Sequence, residues 1–455
     1  MLTEIKKINQ DNLINFLISL IPLTIIVGNS AVNMNIILIC LLGLNIYGLK
    51  IFKLEKKIYQ YLIYTFFFYL ILITLVKNLP ELATNDLYKD HIIKSFFFLR
   101  FLILFLVINK LIEKNNLNIN LFFISCSFFS FILCVDIIVQ VIFGTDLIGN
   151  PITKFRPSGF FGSEHIAGGY IQKFSLFFIA LITLFFLNLK NYKTSFFAII
   201  SFLFFLVIII LTANRMSALI YLFSGGLFLL TEKKIKSIFL LFIFFFILIF
   251  LSFKLDSPKY GKVEGSVDPY HYRLNIQIKE FYLNSIDLAS KVPELFYFNS
   301  LSNEEIKKMS STGYLITFNS GAQVWKKNKI FGGGLKSFRL NCRYGNNQTC
   351  NTHPHNYVLE ILVDTGVVGL ALIYLIVVFS ILDFIKFNKR NLSLISRITI
   401  LPFFLIIFFE FFPVRSTGSF FTTSNATVIF FMLAALINIS KLNLSKKFKH
   451  QSKNN

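Results

Sequence analysis

Acidic side chains are scarce in this chain. Only 23 Asp and Glu stand against 45 Lys and Arg in 455 residues, and charged residues make up 15% of the total. So little charge, spread so unevenly, excludes an ordinary soluble globule. The formal charge of +22 alone would invite a nucleic acid. Most Lys and Arg residues, however, sit in short connections between apolar runs, so no nucleic-acid partner is expected. Codon bias toward Lys, Asn, Ile and Phe accounts equally well for part of the excess. Cysteine is also rare: there are five, in no metal-binding spacing. Cys40, Cys126 and Cys134 fall inside apolar runs and read as small buried hydrophobes. Phosphate-cradling and dinucleotide-binding fingerprints are missing, because Gly332-Gly333-Gly334 lacks a strand–turn–helix setting. A nucleophile elbow, a repeat of fixed period and an inverted pair of broken spans are missing too.

What the chain has in quantity is apolar length. Hydrophobic residues make up 55% and aromatics 17%, with a mean hydropathy of +0.67. Runs of about 18 residues or more recur along the chain, which is the mark of membrane-spanning helices. Twelve spans are expected, near 13–28, 31–49, 58–76, 92–110, 119–142, 166–187, 195–211, 216–231, 236–253, 356–382, 394–412 and 419–440. The fold class is therefore an all-α polytopic membrane protein with one long loop domain on the outer face, which would be periplasmic in a bacterium. Residues 1–253 would hold helices 1–9, 254–353 the loop domain, 354–440 helices 10–12, and 441–455 a cytoplasmic tail. The polar start, MLTEIKKINQDN, reads as the lead into an uncleaved first helix. Alternate connections carry the Lys and Arg, among them Lys50, Lys53, Lys56 and Lys57, then Lys110 and Lys114, and later Lys386, Lys389 and Arg390. The positive-inside rule then assigns these connections and both termini to the cytoplasm.

Two outer segments are longer than a connection needs. The first reads FGTDLIGNPITKFRPSGFFGSEH, residues 143–165. The second, residues 254–352, carries 14 Lys and Arg against 8 Asp and Glu, with helices expected near 270–290 and 303–329. Cys342 and Cys350 flank RYGNNQT in this segment. On an oxidising face they are expected to pair, at a gain of roughly 2–3 kcal/mol from loop closure; free thiols are the alternative.

The stretch THPHNYVLEILVDTGVVGL, residues 352–370, joins the long outer segment to the tenth span. Pro354 suits the first turn of a helix, which would put His353 at the cap and His355 and Asn356 in the first turn. The unpaired N–H groups and the dipole there favour an anion. An imidazole beside an anion site suits group transfer from a phosphate-linked donor; a polar interfacial cap is the plain alternative. A zinc site on His353, His355 and Glu360 lacks a convincing third ligand. Charges near the membrane need partners. Arg215 follows Thr212-Ala213-Asn214 in a tight connection, either meeting an anion or snorkelling to headgroups. Arg100, in FFFLRFLILF, is expected mid-span and in need of a carboxylate such as Asp136 or a ligand phosphate. Arg156 and Arg273 lie in the two outer segments and share the outer face with Arg215 and His355.

Taken together these stretches resemble the O-antigen ligase and O-antigen polymerase superfamily of bacterial inner-membrane glycosyltransferases. That family's signature is His then Asn, Ser or Gln, nine residues, and Gly-x-x-Gly. His355-Asn356 followed by nine residues and Gly366-Val367-Val368-Gly369 is similar at full spacing. WKKNKIFGGGLKSF, residues 325–338, resembles the family's Trp, Gly-x-Gly and Phe pattern. Tyr314 departs from it, standing where many relatives carry an Arg, so Arg273 or another loop residue would take that role. The resemblance implies transfer of a glycan from an undecaprenyl-pyrophosphate carrier to an acceptor hydroxyl on the periplasmic side, with inversion and with no metal or other cofactor. The acceptor would be a sugar of the lipid A core in a ligase, or a second lipid-linked glycan in a polymerase. His355 and Arg215 would be catalytic, and Arg156, Arg273, His353, Asn356 and Arg100 would bind substrate. A lipid-glycan transporter or flippase shares the spans and the basic outer groups, and remains the reading from another class.

Overall fold

A computed structural model describes residues 2–53, 58–83, 86–153, 156–188, 194–230, 313–342, 352–388, 394–413, 415 and 418–439. Among them the backbone is helical wherever it is regular, and the only strand-like pairings are the isolated bridges Thr145–Pro151 and Thr153–Arg156. Apolar runs give this outcome because lipid offers no partner for a backbone N–H or C=O, so each segment must close its own ladder.

The described helices are α1 (Leu2–Ser19), α2 (Ile21–Val27), α3 (Asn29–Tyr47), α4 (Ile58–Asn78), α5 (Asp86–Phe97) and α6 (Leu99–Glu113). There follow α7 (Ile119–Phe143), α8 (Ala167–Asn188), α9 (Thr194–Leu211) and α10 (Arg215–Leu230). The last set is α11 (Gly313–Lys327), α12 (Ser337–Asn341), α13 (Tyr357–Asn388), α14 (Leu394–Glu410) and α15 (Thr423–Ile439). Six stretches are long and apolar enough to cross a membrane: 29–52, 58–81, 86–113, 119–143, 167–186 and 357–386. They match six of the twelve expected spans.

The remaining expectations divide. The span expected at 13–28 is broken: α1 and α2 meet at a bend of 47°. Pro22 near the start of α2 explains it, since it has no N–H to donate and its ring crowds the carbonyl four residues back. Residues 196–211, 215–230 and 423–437 are apolar but shorter helices. At 1.5 Å per residue each is about 24 Å long or less, under the roughly 30 Å of hydrocarbon. The span expected at 236–253, the helix near 270–290 and most of the 254–353 loop domain lie outside the described residues.

The chain forms two compact units, residues 1–119 with 296–447, and residues 120–295 with 448–455. In the first, α4 packs along α13, α6 along α15 and α3 along α6. Gly43 lets α3 approach closely, because a Cβ there would fall 2.3 Å from a Val107 methyl. Phe67, Phe98, Phe101, Phe421 and Phe430 pack ring to ring between these helices, with centroids as close as 4.9 Å. Edge-to-face pairs of this kind contribute about 0.5–1.5 kcal/mol each beyond their area. In the second unit α8, α9 and α10 pack mutually, with Phe202 stacked on Tyr221 at 5.2 Å beside Gly225. Phe122 and Phe123 of α7 meet Phe177 of α8.

Candidate functional site

The helix after THPHN begins later than the sequence suggested. Helix α13 starts at Tyr357, and Asn356 is its cap: the Asn356 Oδ1 accepts the Leu359 N–H at 2.9 Å. Pro354 and His355 therefore precede the first turn, and His355 takes a left-handed backbone with φ +53°. The reason is competition for the cap: Asn at position 356 satisfies the N3 donor better than His353 can from further upstream. The Asn356 amide nitrogen meanwhile donates to Pro413 O at 2.8 Å and Arg415 O at 2.9 Å. Its side chain is buried and fully engaged with protein. Below the hairpin, a Cβ on Gly321 of α11 would meet Pro354 and Leu359 at under 3 Å, so α11 seats the hairpin directly.

The two imidazoles of this segment pack against each other at a tilt of 56°, with ring centroids 4.2 Å apart. His353 Nδ1 lies 3.0 Å from Thr352 Oγ1, and His353 Nε2 is buried without a partner. Burial, then the neighbouring His355, Lys336 and Arg339, pushes the His353 pKa down to about 3. The ring is neutral at physiological pH.

The second half of the motif is a helix break. Gly366 interrupts α13 with φ +66° and ψ −168°, backbone that only glycine adopts readily. The Gly332–Gly334 turn docks into the gap. Gly333 N and Gly334 N donate to Val363 O and Asp364 O at 2.9 and 2.8 Å, while Val367 N and Val368 N donate to Lys329 O and Ile330 O. A Cβ on Gly366 would lie 2.1 Å from Ile330 O. From the α4 side, Lys77 Nζ donates to Asn328 Oδ1 at 3.0 Å and Thr74 Oγ1 accepts Leu335 N–H at 2.9 Å. The nine residues between Asn356 and Gly366 are thus the helical stretch from cap to break.

Polar side chains surround that stretch, among them Asp364, Lys336 and Ser419, which the sequence did not single out. Asp364 accepts from Lys336 N, Ser337 N and Ser337 Oγ at 2.8–3.0 Å and so caps α12. Glu360 is buried and accepts from Ser419 Oγ and Phe420 N at 2.5 Å each, with Lys336 Nζ at 3.5 Å. Lys336 Nζ also donates to Ser419 Oγ at 2.7 Å. Glu410 and Arg415 form a buried ion pair at 2.7 Å. With both oxygens of Glu360 occupied, the zinc arrangement has no third ligand, and no group of three metal-capable side chains occurs among the described residues. Spacing alone gives no signal for these contacts, which join residues up to 83 positions apart.

Arg100 does not stand alone in mid-span. It donates to Phe97 O at 2.7 Å and to Thr423 Oγ1 at 3.2 Å, level with the first residue of α15, and its guanidinium lies 4.5 Å from the Phe101 ring. In the second unit, Asp136 accepts Leu147 N–H at 2.8 Å, and Gln140 Oε1 accepts the N–H groups of Ser158 and Gly159. These contacts hold the 144–162 segment on α7. Arg156 is half-buried in that segment, its N–H turned to Thr153 O. Arg215 opens α10 after Asn214, whose Oδ1 accepts Ser217 N–H at 3.3 Å. The turn is tight: Ala213 has φ +54°, and a Cβ on Gly168 would strike Thr212 and Asn214. Arg273 and Cys350 lie outside the described residues. Cys342 is disulfide-bonded, whereas Cys40, Cys126 and Cys134 are free and buried.

These features define a helical, membrane-type protein with a rigid imidazole hairpin seated on a broken helix. The family model for O-antigen ligase matches residues 200–374, a stretch that contains Arg215 and ends just beyond Gly369. The matched stretch is less than half of the chain, and over it the sequence is similar to the O-antigen ligase family. No curated protein matches the chain.

Proposed function

We propose that the chain is a periplasmic-face glycosyltransferase that moves a glycan from undecaprenyl pyrophosphate to a hydroxyl of the lipid A core. The acceptor oxygen attacks the anomeric carbon from the side opposite the diphosphate. The new glycosidic C–O bond forms as the C–O bond to phosphate breaks, inverting the centre and releasing undecaprenyl pyrophosphate. His355 takes the acceptor proton as general base. Arg215 neutralises charge developing on the leaving diphosphate, a fixed cation that counts for more in a low-dielectric site than in water. Arg156 and Arg273 would add to the hold on the donor. Asn356 acts through the backbone by fixing where His355 stands. Arg100 stays a lipid-diphosphate contact only if it can leave Thr423.

The observation that carries this reading is the hairpin itself. The signature spacing corresponds here to a capped helix, a glycine break and a seated imidazole pair. Joining of lipid-linked repeat units is the alternative within the same chemistry, since the family match covers ligases and polymerases alike. The test is the glycan profile of a deletion strain complemented with wild type, His355→Ala or Arg215→Ala. Wild type should restore long chains on lipid A and neither variant should, although both insert normally. A deletion strain with single-repeat chains would move the assignment to polymerisation. Full activity of His355→Ala would remove it from the mechanism.

A further inference from the structure

The connection between α14 and α15 lies beyond the stretch that the family model matches, yet it is bonded to the first turn of α13 at two successive points. Asn356 Nδ2 donates to Pro413 O and Arg415 O. Four residues on, the Glu360 carboxylate accepts from Ser419 Oγ and Phe420 N at 2.5 Å each. Residues four apart share one helix face, so a single edge of α13 grips the connection. The Glu360 backbone N–H itself closes the turn on Asn356 O at 2.9 Å, and His355 immediately precedes that cap. A third element reaches the same carboxylate. Lys336, the left-handed cap residue of α12, puts its ammonium 2.7 Å from Ser419 Oγ and 3.5 Å from Glu360 Oε1. Glu360 is 2% exposed and Ser419 equally so. Around them the connection is stiff: Arg415 pairs with Glu410 and donates to Phe409 O, while Phe420 packs edge-on against Tyr357 and Phe411. An acidic residue in a first turn ordinarily complements the helix dipole from the surface. A buried one that collects donors from two other elements has a different task.

We propose that Glu360 is a positioning residue. Through Ser419, Phe420 and Lys336 it locks the α14–α15 connection and the cap of α12 onto the first turn of α13, and so fixes where the His355 imidazole stands. The inference rests on the transferase reading for the role of His355, but the clamp itself does not. His355 holds a left-handed backbone, which a residue other than glycine keeps only where its surroundings impose it. The turn behind it, gripped at Asn356 and again at Glu360, supplies that constraint. Proton transfer needs the base within hydrogen-bond reach, and a misplacement of about 1 Å can cost on the order of a hundredfold in rate. Being buried, the carboxylate acts through the turn and leaves the chemistry to the imidazole.

The test uses the purified full-length chain in detergent, with lipid-linked donor and acceptor for turnover and diethylpyrocarbonate as a footprint of the imidazoles. Glu360→Gln keeps the volume but offers one acceptor where Ser419 Oγ, Phe420 N and Lys336 Nζ converge. It should lower kcat about tenfold or more while both KM values stay within about twofold. The His353–His355 segment of this variant should react about threefold faster or more than in wild type, as local opening exposes it. His165, in the second unit, should react as before. Ser419→Ala leaves the Phe420 N–H on the carboxylate and should lower kcat by a smaller factor. Ser424→Ala, which removes a hydroxyl contact to Asn29 in the same part of the chain, should change neither reading. Unaltered kcat in Glu360→Gln overturns the proposal. So does an unchanged footprint, or an equal rise at His165, which would mark general loosening. A wild-type chain that transfers no glycan, yet shows the local footprint change in Glu360→Gln, keeps the clamp and discards the transferase reading.

Discussion

At the scale of single residues, Asn356 and His353 carry roles that their types only half disclose. Asn is a strong helix cap, and its presence three residues ahead of Leu359 was legible in principle. Yet Pro354 drew the expected helix start to itself, because proline favours a first turn wherever it stands. Neither the reach of Asn356 to Pro413 O and Arg415 O nor the left-handed His355 leaves any mark in spacing. Replacing Asn356 by Ala removes a cap and strands two carbonyls, at a cost of about 2–4 kcal/mol. Thermal unfolding in detergent should show the drop, and Asn356→Asp should recover only the part due to the cap. His353 makes a pH prediction. Its folded pKa of about 3 lies below the ordinary 6.5, so the unfolded chain binds a proton that the folded chain refuses. Stability is therefore full above about pH 6.5 and declines as pH falls toward 3. His353→Gln should flatten the change in unfolding midpoint between pH 7 and pH 5; an unchanged slope would mean that other groups govern acid lability.

At the scale of elements, the instructive case is α13. Its apolar run reads as one continuous span, and hydropathy places it within a few residues. What hydropathy cannot register is that Gly366 breaks it, since a glycine inside an apolar run is equally compatible with a straight membrane helix. Only the Gly332–Gly334 turn, more than thirty residues upstream, makes the break necessary, through four backbone hydrogen bonds across the gap. Lys336 is hidden for a related reason: a positive φ usually announces itself as Gly or Asn. Here Asp364 holds Lys336 in that conformation by taking its N–H. Gly366→Ala should therefore cost more than a helix propensity. The backbone term is about 1–3 kcal/mol, and the added Cβ would collide with Ile330 O, so the turn must undock. The expected result is loss of transfer together with faster exchange of the Gly333 and Gly334 amides. Unchanged protection in Gly366→Ala would show that the break does not seat the turn.

At the scale of the whole chain, the number of crossings decides on which side each terminus lies, and the contacts within the first unit bear on it. Asp11, midway along α1 and just ahead of its apolar half, accepts from Tyr47 Oη at 2.8 Å and from Asn116 Nδ2 at 2.6 Å. The end of α3 and the chain just past α6 therefore share one end with the N-terminal part of α1. At the other end of α3, Asn29 accepts from Ser424 Oγ at 2.7 Å, and the start of α15 lies there too, with Arg100 at the start of α6. The bent α1–α2 pair and α3 thus travel out and back over the same depth, and α15 runs from the Asn29 end toward the Asp11 end. A bend of 47° does not turn that pair into a loop that returns to its own side. Lys50 and Lys53, after α3, and Lys110 and Lys114, at the end of α6, belong to the Asp11 end, which the positive-inside rule puts in the cytoplasm. Both termini are then expected on the cytoplasmic face, with the HPHN hairpin on the other. Side-specific reporters fused at Met1 and at Asn455 should give the same signal, and a single cysteine introduced at Leu82 should react only from outside. Opposite signals from the two termini would mean an odd number of crossings and overturn this assignment.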